Sequence, residues 1–322
     1  LTRPSSSAHN KIAFIGLGKM GLAMASRLVS AGYDIRGFDV SKNACDAFLQ
    51  IGGKVSLSVV DAVKGSDLLI TMLPDGVTVS QVVLGEKGAV SVMGKGTFLI
   101  DMSSSAPLET RALGAELAKD GLKMMDAPVS GGVAKAVDGT LTVMVGGDAD
   151  ILKLVKPILI NIGNSVIYTG GLGSGHAAKA LNNFVSAAGL SAACEAVLIG
   201  KEFGIDPSIL VDVMNQSTGR NNSTQVKLKP HILSGLFGSG FSMELMTKDL
   251  KTAAELAHKL NVPQRGADYE AELWSLALKS LVNGADHTEI FCYLESRLDM
   301  QTGKSADSGG SVLGGSATCR VT

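Results

Sequence analysis

The sequence predicts a doubly wound, mostly parallel α/β domain followed by an all-α domain, with one long helix linking them. Three observations carry this. Short apolar runs alternate with amphipathic segments through the first half of the chain, the pattern of parallel strands joined by helices. The first run, 11–15, passes through Gly16, Gly18 and Gly21 at G-x-G-x-x-G spacing into an amphipathic stretch bearing Met20, Met24 and Leu28. From residue 176 to 203 the chain lacks proline, is dense in alanine and repeats its apolar residues at helical spacing.

In chain order, strands are expected at 11–15, 34–38, 67–72, 97–101 and 123–125, with helices at 20–31, 42–51, 77–84 and 107–120 between them. The run 141–145 reads as a further strand because Gly146-Gly147 turns the chain directly after it, and 165–168 completes the sheet. Gly204 ends the long helix and Asp206-Pro207 starts another. Everything to about residue 298 is helical in character, Trp274 included. The expected division is an α/β domain over 1–172, an all-α substrate and oligomerisation domain over 173–300, and a disordered Gly/Ser-rich tail over 301–322.

Composition narrows the function classes. With 322 residues, 45% hydrophobic and 18% charged, the chain is long enough for two domains and a sizeable core. A net charge of −1 offers nucleic acid or an anionic membrane no electrostatic attraction. Cys45, Cys194, Cys292 and Cys319 are widely spaced and read as reduced thiols of an intracellular protein. The five histidines are scattered, so no metal site is expected, and His176 reads as a polar contact at a helix end. No apolar stretch is expected to reach the roughly 20 residues that span a bilayer. Residues 1–10 read either as an artificial extension or as the end of a processed organelle-targeting segment. Cytosol is the expected compartment, with the mitochondrial matrix as the other candidate.

The glycine triplet has a mechanical rationale. Gly16 permits the tight turn, Gly18 lets a pyrophosphate approach the backbone, and Gly21 lets helix and strand pack closely. The pyrophosphate then meets the N–H groups at the helix N-terminus, beside Leu17, Lys19 and Met20. Eighteen residues on, the second strand ends at Asp39, where an acid accepts hydrogen bonds from the adenosine ribose and repels a 2′-phosphate. The expected cofactor is therefore NAD, bound by a Rossmann domain.

Two further segments can carry chemistry. In Asp126-Ala127-Pro128-Val129-Ser130-Gly131-Gly132, Ser130 and the two glycines can offer a hydroxyl and bare N–H groups to a small carboxylate. The same residues suit an ordinary strand-to-loop turn. In Gly173-Ser174-Gly175-His176-Ala177-Ala178-Lys179-Ala180-Leu181-Asn182-Asn183, Lys179 and Asn183 share a helix face. A lysine there can exchange a proton with a substrate hydroxyl, or merely snorkel to water, and the amide can orient a substrate or cap a helix.

Four ordered motifs, Gly16–Gly21 with Met20, Asp126–Gly132, Gly173–Asn183 and Thr247-Lys248-Asp249-Leu250, together resemble the β-hydroxyacid dehydrogenase family, most closely the 3-hydroxyisobutyrate dehydrogenases. The resemblance spans roughly residues 11–298. It implies that Lys179 is the catalytic lysine, that Ser130, Gly131, Gly132 and Asn183 hold substrate, and that Lys248 lies beside cofactor and substrate. It implies also that Met72-Leu73-Pro74 loops over the cofactor, and that Ser104 stands where the family often has threonine near the nicotinamide. The Asn-Arg-Thr run of NADP-using members is absent after Asp39.

The implied activity is reversible NAD-dependent oxidation of a short 3-hydroxy acid to its semialdehyde by a homodimer or homotetramer, with Lys179 as general acid/base. Related substrates within the family are tartronate semialdehyde, threonate and succinic semialdehyde. A phosphogluconate-type activity fits less well because no basic cluster for a sugar phosphate is evident. Retention of Lys179 argues against an imine reductase and against a non-catalytic NAD-binding scaffold.

Overall fold

The computed structural model describes residues 11–302, and for 301–302 the backbone alone. The expectations for 1–10 and for the tail from 303 onward lie outside these residues. The chain divides into two compact units, one ending at residue 179 and the other beginning at 180.

The first unit is built on a nine-stranded sheet: β1 (Lys11–Ile15), β2 (Asp34–Phe38), β3 (Lys54–Val55), β4 (Leu68–Thr71), β5 (Phe98–Asp101), β6 (Lys123–Asp126), β7 (Val129–Ser130), β8 (Thr142–Gly146) and β9 (Ser165–Gly170). Their order is β3-β2-β1-β4-β5-β6-β8-β7, with β9 beside β8. From β3 to β6 every pairing is parallel; β8 runs antiparallel to β6 and β7. The order reverses direction between β1 and β4, and a crevice outside the carboxyl ends at such a point is where α/β sheets bind ligands.

Helices connect the strands: α1 (Lys19–Ser30), α2 (Lys42–Gln50), α3 (Val59–Val63), α4 (Gly76–Leu84), α5 (Pro107–Lys119), α6 (Gly132–Asp138) and α7 (Ala149–Leu159). Parallel strands covered on both faces read as unbroken apolar runs, and β4 is buried at all four positions. One sheet face packs Phe14, Met24, Leu28 and Ile70 together, while the other gathers Ile15, Leu69, Leu99 and Leu117. Each such side chain contributes about 1.5–3 kcal/mol on burial.

α8 (Ser174–Phe203) is the long helix and runs from the first unit into the second. The second unit continues with α9 (Pro207–Gln216), α10 (Asn222–Val226), α11 (Met243–Lys259), α12 (Arg265–Ser280) and α13 (Ile290–Thr302). Its core surrounds Trp274, whose Nε1–H donates to Ser191 Oγ and Glu270 Oε2, both at 3.0 Å.

Several expectations need correction. Ser130 ends the short strand β7, paired with Thr142 of β8, a strand the sequence reading did not mark. α3, α6 and α7 and the two-residue β3 were not foreseen. α7 hides its signal because Pro157 falls in its last turn, and α6 because it opens on Gly131-Gly132, both at positive φ. By length and hydropathy α8 does meet the requirements of a membrane span, with a window mean of 1.4. Half of that window is buried within the protein, as for a core helix. Cys45 and Cys194 are free thiols, as expected.

Candidate active site

The glycine loop sits at the carboxyl end of β1. Gly16 has φ +98°, and a Cβ there would overlap the Met72 carbonyl; a Cβ on Gly21 would overlap the Gly16 carbonyl. These two glycines are therefore demanded by packing. Gly18 differs: its φ is −62°, and an added Cβ would meet nothing within 4 Å. Gly18 also occupies the N-cap of α1 without any side-chain cap. The first turn, Lys19, Met20 and Gly21, thus presents N–H groups to the space outside Gly18. Open backbone backed by uncapped N–H groups fits the pyrophosphate of a dinucleotide.

Asp39 closes β2 beside this loop. Its Oδ2 accepts the Leu17 N–H at 2.6 Å and its Oδ1 accepts the Ser41 N–H at 2.7 Å. A carboxylate has about four acceptor positions, so ribose hydroxyls can still be received. The loop Met72-Leu73-Pro74 leaves β4 next door: Met72 N–H donates to the Ile15 carbonyl, and Leu73 N–H to Ser103 Oγ at 2.9 Å. Cofactor-site candidates from β1, β2, β4 and the segment after β5 are thereby gathered at one sheet edge. Ser104 lies half-buried between Ser103 and Ser105 in that last segment.

Two buried aspartates organise the carboxyl ends of β5 and β6, and they are neighbours in register. Asp101 Oδ1 accepts from Thr71 Oγ1 at 2.9 Å and Ser103 N–H at 3.0 Å, and its Oδ2 accepts from Ser105 Oγ at 2.7 Å. Asp126 Oδ1 accepts the Gly173 N–H and its Oδ2 the His176 N–H, both at 2.7 Å. Hydrogen bonds to ionised groups contribute about 1.5–3 kcal/mol each. The glycines of Gly173-Ser174-Gly175 serve this junction: a Cβ on Gly175 would overlap the Met144 carbonyl and stand 2.9 Å from Asp126 Oδ2. The start of α8 is thus bolted to the sheet.

Lys179, 7% exposed, lies one turn further along α8. Asn183, on the same helix face, is 6% exposed, and its Nδ2 donates to Asp249 Oδ2 at 2.6 Å while its Oδ1 accepts from Asn182 Nδ2 at 3.1 Å. One amide N–H of Asn183 is thereby committed and its orientation assigned. Asp249 belongs to α11 directly after Lys248, which is half-buried on that helix and six residues into it, not at its start. Ser130 is half-buried at the end of β7, and Gly131 and Gly132 follow at φ +135° and +73°.

The residues missed by sequence reasoning are Asp101, Asp126 and Thr71. A signal existed for two of them. Each aspartate ends an apolar strand run, Leu99-Ile100-Asp101 and Met124-Met125-Asp126, where the strand leaves the core for the ligand-binding edge of the sheet.

Comparison with known proteins shows the family. Residues 11–170 match the family model described as the NAD binding domain of 6-phosphogluconate dehydrogenase, and 173–294 match that of the NAD-binding of NADP-dependent 3-hydroxyisobutyrate dehydrogenase. The rat mitochondrial 3-hydroxyisobutyrate dehydrogenase is 33% identical over 296 residues, covering 90% of this chain and 88% of that one. The chain belongs to the β-hydroxyacid dehydrogenase family. Among its relatives is the NAD-dependent L-serine dehydrogenase of Pseudomonas aeruginosa, 37% identical over 77% of this chain and 85% of that protein. The solved 3-hydroxyisobutyrate dehydrogenase of Mycobacterium tuberculosis with L-serine superposes with a TM-score of 0.81 at 31% identity, covering 89% of this chain and 99% of that one. This dehydrogenase carries an NAD-binding domain over residues 11–170.

Proposed function

We propose that this dehydrogenase oxidises a short 3-hydroxy acid to its semialdehyde, reversibly, with NAD preferred to NADP. The observation that carries this is Lys179: buried, one turn after a helix start tied to Asp126, and on the same face as Asn183. The two substrates named for the relatives, 3-hydroxyisobutyrate and L-serine, share a carboxylate and a hydroxyl on the β-carbon and differ at the α-carbon. That common frame defines the substrate class.

NAD⁺, when bound, supplies the hydride acceptor. The chain holds it with the backbone of Gly16–Gly21, with Asp39 at the ribose, and with Met72, Leu73, Pro74 and Ser104 around the rest. Ser130 and the N–H groups of Gly131 and Gly132 receive the substrate carboxylate, and Asn183 orients the hydroxyl with its remaining amide N–H. Neutral Lys179 accepts the hydroxyl proton during oxidation and returns it during reduction. Lys248 adds a cation to the substrate and cofactor surroundings.

Subunit association is part of the same reading. α8 exposes Val185, Ile199 and Phe203 at 68%, 70% and 84%, which supports a homodimer or homotetramer. Initial rates of NAD⁺ and NADP⁺ reduction against a panel of 2- and 3-hydroxy acids test the proposal. Turnover confined to 3-hydroxy acids and faster with NAD⁺ is the expected result; turnover of 2-hydroxy acids, or preference for NADP⁺, overturns it.

A further inference from the structure

His176 is 1% exposed, and its ring joins segments far apart in the sequence. Nε2 lies 3.1 Å from the Ser103 carbonyl oxygen, and Nδ1 lies 2.8 Å from Thr110 Oγ1 at the opening of α5. A carbonyl oxygen only accepts, so Nε2 carries the proton of the first bond. The backbone N–H of the same residue is taken by Asp126, as described above. Carboxylate oxygens of Asp101 and Asp126 each stand 3.7 Å from the ring, one on either nitrogen. Asp101 in turn holds Ser103 and Ser105. Among the described residues no three His, Cys, Asp or Glu side chains are arranged to hold a metal ion, and the oxygens of both aspartates are directed at N–H and O–H donors. The cluster is mechanical: it ties the 103–105 segment to the first turn of α8.

We propose that His176 is a positioning residue for the reaction. Through the Nε2–H bond to the Ser103 carbonyl it holds the segment bearing Ser104 in register with the helical turn bearing Lys179. This rests on the reading of Lys179 and Ser104 given above. Without the ring, the Ser103 carbonyl loses its donor, and the two segments keep their separate anchors, Asp101 and Asp126, but lose this direct tie between them. A displacement of about 1 Å in a reacting group costs on the order of 10²-fold in rate.

The test compares His176→Ala, His176→Asn and His176→Gln. Glutamine can place an N–H donor where Nε2 stands, whereas asparagine reaches only the Nδ1 position. Two readouts are taken: amide hydrogen–deuterium exchange of peptides covering 103–106 and 174–179, and kcat and KM with hydroxy acid and NAD⁺. His176→Ala and His176→Asn are expected to accelerate exchange in both segments and to lower kcat by roughly 30–100-fold, with both KM values within about threefold. His176→Gln is expected to restore both readouts to within about fivefold of the wild type. Thr110→Val, which removes the Nδ1 partner and a local bond to the Ala106 carbonyl but leaves the Ser103 bond intact, is expected to keep kcat within about threefold and serves if the His176 variants fail to fold.

Unchanged exchange in His176→Ala, equal recovery by asparagine and glutamine, or a Thr110→Val loss as large as that of His176→Ala overturns the inference. If the wild type oxidises no hydroxy acid, the Lys179 reading fails on its own, and the exchange pattern alone decides whether His176 locks the two segments.

Discussion

Gly18 and Gly16 belong to one motif and have different reasons to be glycine. Gly16 cannot carry a side chain because of its φ and the Met72 carbonyl, whereas Gly18 has ordinary φ and empty space before it. Gly18→Ala is therefore expected to leave unfolding free energy within about 1 kcal/mol of wild type. Its dissociation constant for NAD⁺, read by fluorescence titration, should rise at least about tenfold, since a methyl would stand where the pyrophosphate approaches. Asp39 makes a complementary case. Asp39→Ala removes the acceptor for ribose and the repulsion of a 2′-phosphate together, and the ratio of kcat/KM for NAD⁺ over NADP⁺ should fall at least about tenfold. The residues of this loop were legible because the motif is local, complete within one strand–turn–helix. Asp101, Asp126 and His176 were not legible as a group. His176 is bonded to Asp126 across 50 positions and to Ser103, which Asp101 holds, across 73, and these contacts arise only when β5 and β6 lie side by side.

Among the elements, α8 depends most on its first turn. Gly175 has no room for a Cβ between the Met144 carbonyl and Asp126. Gly175→Ala should push the helix off the sheet, lowering stability by about 1–3 kcal/mol in urea unfolding and kcat by roughly tenfold or more. A variant with full stability and full kcat would show that this junction is not rigid. Element recognition from sequence succeeded where the apolar period was long and bounded by strong punctuation. β1 and β2 were expected at the bounds they have, and α8 began only two residues earlier than its alanine-rich run suggested. It failed for short or punctuated pieces. β3 has two residues, α6 opens on two glycines, and α7 contains Pro157, each removing the period or the propensity that reading relies on. The segment through Ser130 read equally as a ligand cradle or a strand-to-loop turn; its strand pairing with Thr142 is a tertiary contact that local propensity does not carry.

At the scale of the whole molecule, each unit has its own core, and the helical one holds a half-buried lysine at some cost. Burial lowers the pKa of Lys227 to about 8, against the opposing pull of Asp286 and Cys194, and its Nζ meets Ser186 Oγ at 3.4 Å. Unfolded, the same group titrates near 10.5. Below about pH 8 both states are charged, and the folded state carries the full desolvation penalty; between about pH 8 and 10.5 the unfolded state binds more protons, so stability rises with pH. Lys227→Met should therefore stabilise the protein by about 1–3 kcal/mol at pH 7, with the advantage shrinking as pH rises through that window. An advantage independent of pH would contradict this. The central claim is that Lys179 moves the substrate proton. Its most direct test is kcat for Lys179→Ala with a 3-hydroxy acid, measured beside the dissociation constant for NAD⁺. The account predicts that kcat falls by about 10²–10⁴-fold while NAD⁺ affinity stays within about threefold; a variant that turns over within about threefold of wild type would contradict it.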